Sequence, residues 1–153
     1  TAALNMGYIP QSEVLGYTSG ASRLKKVITI SLAAGYTLTQ ADSGAVVFMD
    51  STTSGVDVVV PAPFAGGEYK IIKKDVGTSN ALAITCASND VFQGSSVFAD
   101  AGTGANGTLV DFADSISIIA TADAGTCVDL ISDGTYWYVY GRSGVTLGIT
   151  STG

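Results

Sequence analysis

"LISDGTYWYVYGRSG", residues 130–144, is the stretch that decides the fold. Asp133-Gly134 is a turn signal, because both residue types tolerate the positive-φ conformations that a tight hairpin needs. Behind the turn the sequence alternates with period two, the period of a strand. Tyr136, Tyr138 and Tyr140 therefore share one face, and Trp137 and Val139 share the other. The Trp137 face is expected to enter a core. The tyrosine face has three readings. It packs against aromatic or β-branched neighbours across strands, it lines a subunit interface, where tyrosine is enriched, or it forms a surface on which sugars stack.

Working outward, the chain from Val27 onward reads as strands broken by turns. "VITISL" (27–32), "AVVFMD" (45–50), "VDVVVPAP" (56–63), "EYKIIKKD" (68–75), "ALAITC" (81–86) and "VFQGSSVFA" (91–99) come first. "LVDF" (109–112), "SISIIATA" (115–122), "CVDLIS" (127–132), "YWYVYG" (136–141) and "VTLGIT" (145–150) complete the set. In "SISIIATA", Ile116 and Ile118 fall on one face and Ser115 and Ser117 on the other. Helical periodicity is poor throughout, and the one short helix expected lies over Pro10–Leu15. No internal repeat stands out. The expectation is an all-β protein: a single antiparallel β-sandwich or barrel-like domain of about ten short strands over residues 25–153. Residues 1–24 precede it as an extended arm. They carry apolar residues without a period, among them Tyr8, Ile9, Leu15 and Tyr17, and are too apolar for a free disordered tail. Such an arm lies on its own domain or on a neighbouring subunit.

Composition narrows the function. Of 153 residues, 46% are hydrophobic and only 13% charged, where about 25% is usual, so much of the surface must be polar-neutral or covered by partners. The net charge of −6 argues against nucleic acid, since phosphate binding needs a basic face. The basic clusters Arg23, Lys25, Lys26 and Lys70, Lys73, Lys74 read as solvated strand edges that block stray pairing, or as contacts to an acidic protein surface. No apolar run is long enough for a membrane-spanning helix. No signal peptide is expected, and a start at Thr1 is compatible with a removed initiator Met.

The chain has no histidine, which excludes Ser-His-Asp and Cys-His catalysis and imidazole-bound metals. Cys86 and Cys127 show no C-x-x-C spacing, so structural zinc is not expected; they read as buried free thiols, with a disulfide left open. "GTGANG" (102–107) spells a dinucleotide-binding pattern, but a β-like stretch follows where a helix is required. "NGT" (106–108) spells a glycosylation acceptor, which matters only in a secretory route. The acids sit mostly at turns beside Gly, Ser, Thr or Asn, and no pair stands out for glycoside hydrolysis. No enzyme, cofactor or metal is expected.

Four stretches carry a family resemblance. "GYTLTQADSGAVVFMDSTTSGVDVVVPAPFAGGEYKIIKKD" (35–75), "NALAIT" (80–85), "DVFQGSS" (90–96) and "VDLISDGTYWYVYG" (128–141) together resemble a β module of tailed-bacteriophage virion proteins. The resemblance covers residues 35–141 and is one of strands and turns, with no catalytic signature. It implies a β-sandwich that serves as a structural or attachment part and assembles as a trimer, as in head-decoration proteins and in head and tail fibres. Shortness, the lack of a fibrous shaft and the arm favour a capsid decoration (cement) protein located on the virion surface. Its partners would be the major capsid protein and further copies of itself, bound through Tyr8, Ile9, Leu15 and Tyr17 of the arm and through Tyr136, Tyr138 and Tyr140. The alternative is a receptor- or carbohydrate-binding module of a fibre, with a host surface glycan as partner.

Overall fold

The structure, a computed structural model, describes residues 25–31, 33–75, 80–98, 109–145 and 147–153. The arm with Tyr8, Ile9, Leu15 and Tyr17, the short helix expected over Pro10–Leu15 and the loop 100–108 lie outside the described residues. What is described is almost entirely strand: β1 (Val27–Ile30), β2 (Tyr36–Thr37), β3 (Val46–Met49), β4 (Val56–Val60), β5 (Ala65–Lys73) and β6 (Leu82–Cys86). Then follow β7 (Phe92–Phe98), β8 (Leu109–Ala113), β9 (Ser115–Ile118), β10 (Cys127–Asp133), β11 (Trp137–Ser143) and β12 (Ile149–Thr152). One turn of 3-10 helix, Gln40–Asp42, sits between β2 and β3.

These strands form two sheets, in the orders β1-β3-β5-β10-β11-β7-β8 and β12-β9-β6-β4-β2. The all-β expectation holds, with twelve strands among the described residues, but the sheets are mixed and not wholly antiparallel. The reason is topological. From β1 to β6 the chain passes from one sheet to the other at every connection. β1, β3 and β5 therefore end up side by side and parallel, as do β2, β4 and β6. The result is three stacked two-strand coils, a structural repeat that the sequence does not display. A strand-turn-strand pattern reads the same whether the turn closes a hairpin or crosses between sheets, so the pairing direction could not be seen in it.

Alternation sets the core. Val47, Met49, Tyr69, Ile71, Leu130, Trp137 and Val139 point inward from the first sheet. Val56, Val58, Val60, Leu82, Ile84, Ile116, Ile118 and Ile149 meet them from the second. Both strand patterns read from sequence, Trp137 with Val139 and Ile116 with Ile118, are thus buried as expected. Trp137 lies edge-on to Phe64, with ring centroids 5.7 Å apart, and tilted against Tyr69 at 5.4 Å. Its indole N–H donates to the Pro61 carbonyl at 2.9 Å, which satisfies the one polar group of the ring. β4 ends just before Pro61, where "VVVPAP" stops the ladder.

The "YTLTQADSG" segment is a corner between the sheets. Leu38 is buried, and Thr39 leads into the 3-10 turn. Asp42, also buried, accepts hydrogen bonds from the Thr39 N–H and hydroxyl, each at 2.8 Å, and an ion pair from Lys26 just ahead of β1. Tyr69 closes the corner by donating its hydroxyl to the Thr39 carbonyl at 2.7 Å. Burial, with the Asp42 charge nearby, pushes the Tyr69 phenol up to about 12. The Lys26 hydrogen bond, then those from Thr39, hold the Asp42 carboxyl down at about 2. Because the folded value lies below the unfolded one, this stabilisation is complete above the usual carboxylate range and is lost as pH falls from about 4 toward 2. In Asp42→Asn, urea midpoints measured between neutral pH and pH 2 should fall less steeply with acid than in the parent.

The lysines do not all sit on solvated edges. Lys70 pairs with Asp129 at 2.5 Å on the sheet surface, and Lys25 and Lys74 pair with Glu68 and Asp50, each at 3.5 Å. Lys73, however, is fully buried at the end of β5 and pairs with Asp75 at 2.7 Å. Asp75 in turn accepts from the Ser51 N–H at 2.9 Å and its hydroxyl at 3.1 Å. Removing one partner of a buried pair strands the other charge, at a cost of about 3–5 kcal/mol, whereas a surface pair contributes about 0–1 kcal/mol. Lys73→Ala should therefore lower the unfolding free energy several-fold more than Lys70→Ala when the two are compared by urea denaturation.

Candidate functional site

The outer faces of the two sheets differ. On the second sheet, Asp57, Ala83, Ser117 and Thr150 lie in register across four strands, a row of small and mostly polar groups. On the first sheet, β11 turns Tyr138 and Tyr140 outward, 45% and 52% exposed, while Trp137 and Val139 face the core. Tyr136, just before the strand, is half-buried. The next strand, β10, adds Ile131 beside Tyr138 and Asp129 beside Tyr140, and β7 adds Gln93 and Ser95 on the other side.

The hairpin that presents these tyrosines differs from the tight turn expected. Ser132 pairs with Trp137, which leaves four residues in the loop, and of Asp133 and Gly134 only Gly134 has positive φ, +102°. Asp133 works through its side chain. One carboxylate oxygen accepts the N–H of Thr135 at 2.7 Å and of Tyr136 at 3.0 Å, an Asx turn. The other accepts the Tyr138 hydroxyl at 3.0 Å. The two backbone bonds keep the Asp133 carboxyl below its usual range, and its hydrogen bond pushes the Tyr138 phenol up.

A fourth outward ring comes from β8, and the sequence reading missed it. Val110 and Ala113 are both buried although three positions apart, which breaks the period of two. The ladder to β7 shifts between Phe92 and Gly94, so β8 carries a bulge with Asp111 and Phe112 both outside. Phe112 has φ +48°, is 48% exposed and meets Tyr136 edge-on, with centroids 5.8 Å apart. A left-handed backbone at a large non-glycine residue costs about 1–2 kcal/mol. The signal in sequence was the spacing of Val110 and Ala113.

Two concavities flank the aromatic residues. A cleft of about 400 Å³ opens on the outer face between β5, β10 and β11, lined by Glu68, Lys70, Asp129, Ile131 and Tyr140. A second, of about 390 Å³, lies where residues 123–127 meet 142–144. There the Arg142 guanidinium lies 3.5 Å from the Cys127 sulfur. Both cysteines are free thiols. Cys127 is buried, and Cys86 is half-buried with its thiol directed at the Pro61 carbonyl, 3.3 Å away; burial pushes that thiol up. Among the described residues no three His, Cys, Asp or Glu side chains cluster as metal ligands would. No described helix is long and apolar enough to cross a membrane.

No protein-family model matches the chain, and comparison with curated proteins finds no relative.

The edge contact of Phe112 with Tyr136 offsets the strain at Phe112 by about 0.5–1.5 kcal/mol. Phe112→Gly relieves the strain and loses the contact, so thermal unfolding should place its stability within about 1 kcal/mol of the parent. A loss above about 3 kcal/mol, the scale of a core cavity, would instead assign the ring to packing.

Proposed function

We propose that this chain is a structural protein of a tailed-bacteriophage virion: a capsid decoration protein that binds the assembled head as a trimer and stabilises it. The observation that carries the reading is the outer edge of the coil stack, which no described strand pairs. β1 and β2 are the end strands of their sheets on the same side of the sandwich, and residues 1–24 join the domain at β1. Lys26, just ahead of β1, and Ile30 give their carbonyls to the N–H groups of Val46 in β3 and of Asp50 just after it, so the backbone groups of Val27 and Thr29 point away from the sheet. Such an edge accepts an added strand from a partner. On the opposite side β8 and β12 are the end strands, and the Asp114 N–H donates to the Thr152 carbonyl at 2.8 Å, tying the β8–β9 bend to β12. Attachment on the β1 side fits the arm, whose Tyr8, Ile9, Leu15 and Tyr17 would lie on capsid subunits. Weak contacts repeated over many copies add through multivalency, and binding to the assembled shell alone stabilises it by mass action. The trimer, and the use of Tyr136, Tyr138 and Tyr140 at a subunit seam, rest on the family resemblance.

The second reading, a receptor- or glycan-binding module of a fibre, is favoured by the exposed rings of β11. Copy number separates the two. Quantitative mass spectrometry of purified particles should give about one copy per capsid subunit for a decoration protein and a few per particle for a fibre. Edge attachment has its own test. Thr29→Pro removes an N–H that β3 does not use, so the fold should persist while co-sedimentation with purified shells drops at least about tenfold. Deletion of residues 1–20 should do the same. Full shell binding by both variants would sink the edge reading.

A further inference from the structure

The rings of β11 and the cleft beside them lie on a sheet face, away from the β1 edge. We infer that this face is a binding site for a neutral glycan chain, which runs along β11 with one sugar ring seated in the cleft between β5, β10 and β11. The inference deepens the second reading above, a glycan-binding module, and rests on it; it does not depend on the decoration reading.

Shape comes first. Tyr136, Tyr138 and Tyr140 follow one another at every second residue and so span about 13 Å along the strand. Phe112, on β8 two strands across the sheet, meets Tyr136 and widens that end of the line. At the other end the cleft of about 400 Å³ has Tyr140 and Ile131 as apolar walls, a volume within the range of small-molecule sites. A line of rings with a cleft beside its Tyr140 end fits a short linear chain with one unit inserted.

Chemistry comes second. The core of a protein interface is depleted of charge. Here the Lys70–Asp129 ion pair stands in the cleft itself, with Glu68 at its rim. Gln93 lies in register beside Tyr138, and Ser95 beside Tyr140. Rings alternating with hydrogen-bonding groups suit a ligand that offers C–H faces to the rings and hydroxyls to the groups between them. An all-apolar partner would leave the ion pair desolvated at a cost. The rings are also held in place before any ligand arrives: Tyr138 by its bond to Asp133, and Tyr136 by Phe112. That removes part of the ordering cost of binding. Charge selects the class of glycan. Lys25 and Lys70 offset Glu68 and Asp129, Arg142 follows Tyr140 on the outward side, and Asp111 and Asp133 add negative charge at the other end, so the strip offers no cluster of cations to a sulfated or carboxylated chain.

The test is native gel electrophoresis of the full chain in gels containing dextran, mannan or galactan, with hyaluronan as the acidic comparison. Retardation is expected in at least one neutral gel and none in hyaluronan. Tyr140→Ala and Tyr138→Ala should each weaken retention about tenfold or more, as loss of a central ring does. Tyr138→Phe, which keeps the ring, should retain most of it, and unchanged Trp137 emission verifies the fold of every variant. No retardation in any neutral gel, stronger retardation in hyaluronan, or retention indifferent to both alanine variants would overturn the inference. So would sedimentation showing that Tyr140→Ala dissociates an oligomer, because the face would then belong to a second copy. Retardation in hyaluronan alone would keep a glycan-binding module and sink the neutral chain, while copy number in particles tests the fibre reading and shell binding the decoration reading, so each fails separately.

Discussion

A single hydrogen bond organises the molecule: the Trp137 indole donating to the Pro61 carbonyl, across 76 residues of sequence. Trp137 belongs to β11 of the first sheet, and Pro61 follows β4 of the second. The bond therefore spans the sandwich where Phe64 and Tyr69 flank the indole. A tryptophan this deep must satisfy its N–H, and the carbonyl available is the one released where proline ends a strand. The outward set of β11 depends on this anchor. With Trp137 fixed inward, the pleat leaves Tyr138 and Tyr140 no orientation but outward, since a one-residue slip would turn the tryptophan to solvent.

How much of this could be read in advance depends on which side chain carried the information. Inward positions with period two were legible, as at Trp137 and Val139 or Ile116 and Ile118, because burial of one sheet face forces the alternation. Strand direction was not legible, because crossing between sheets and closing a hairpin use the same Gly, Asp and Ser turns. Lys73 read as a solvated edge residue, yet it is buried: its partner Asp75 stands two residues on, but the Ser51 hydroxyl that also bonds Asp75 comes from 24 residues away and is brought there by the fold. The start of β5 at Ala65 was also hidden, because Gly66-Gly67 reads as turn and serves as strand.

The outward surface followed the same division. The tyrosine face of β11 was plain from alternation. The cleft beside it was not, since Glu68, Lys70 and Asp129 come from strands whose adjacency is a fact of topology. Phe112 was missed because a bulge reverses the side on which a residue emerges. The "ADSG" and "DGTYW" segments turned out to be corner and hairpin chemistry. Each uses an Asp side chain to accept backbone N–H groups, Thr39 in one case and Thr135 with Tyr136 in the other.

The placement of β1 has a mechanical consequence. A pull on the chain ahead of Lys25 is borne first by the β1–β3 ladder, which is four register pairs long, by the surface ion pair of Lys25 with Glu68 and by the pair of Lys26 with buried Asp42. The Trp137 anchor lies three strands further into the same sheet. Tension therefore peels the outermost strand before it reaches the core, and the domain yields stepwise, coil by coil, with the first coil acting as a shock absorber.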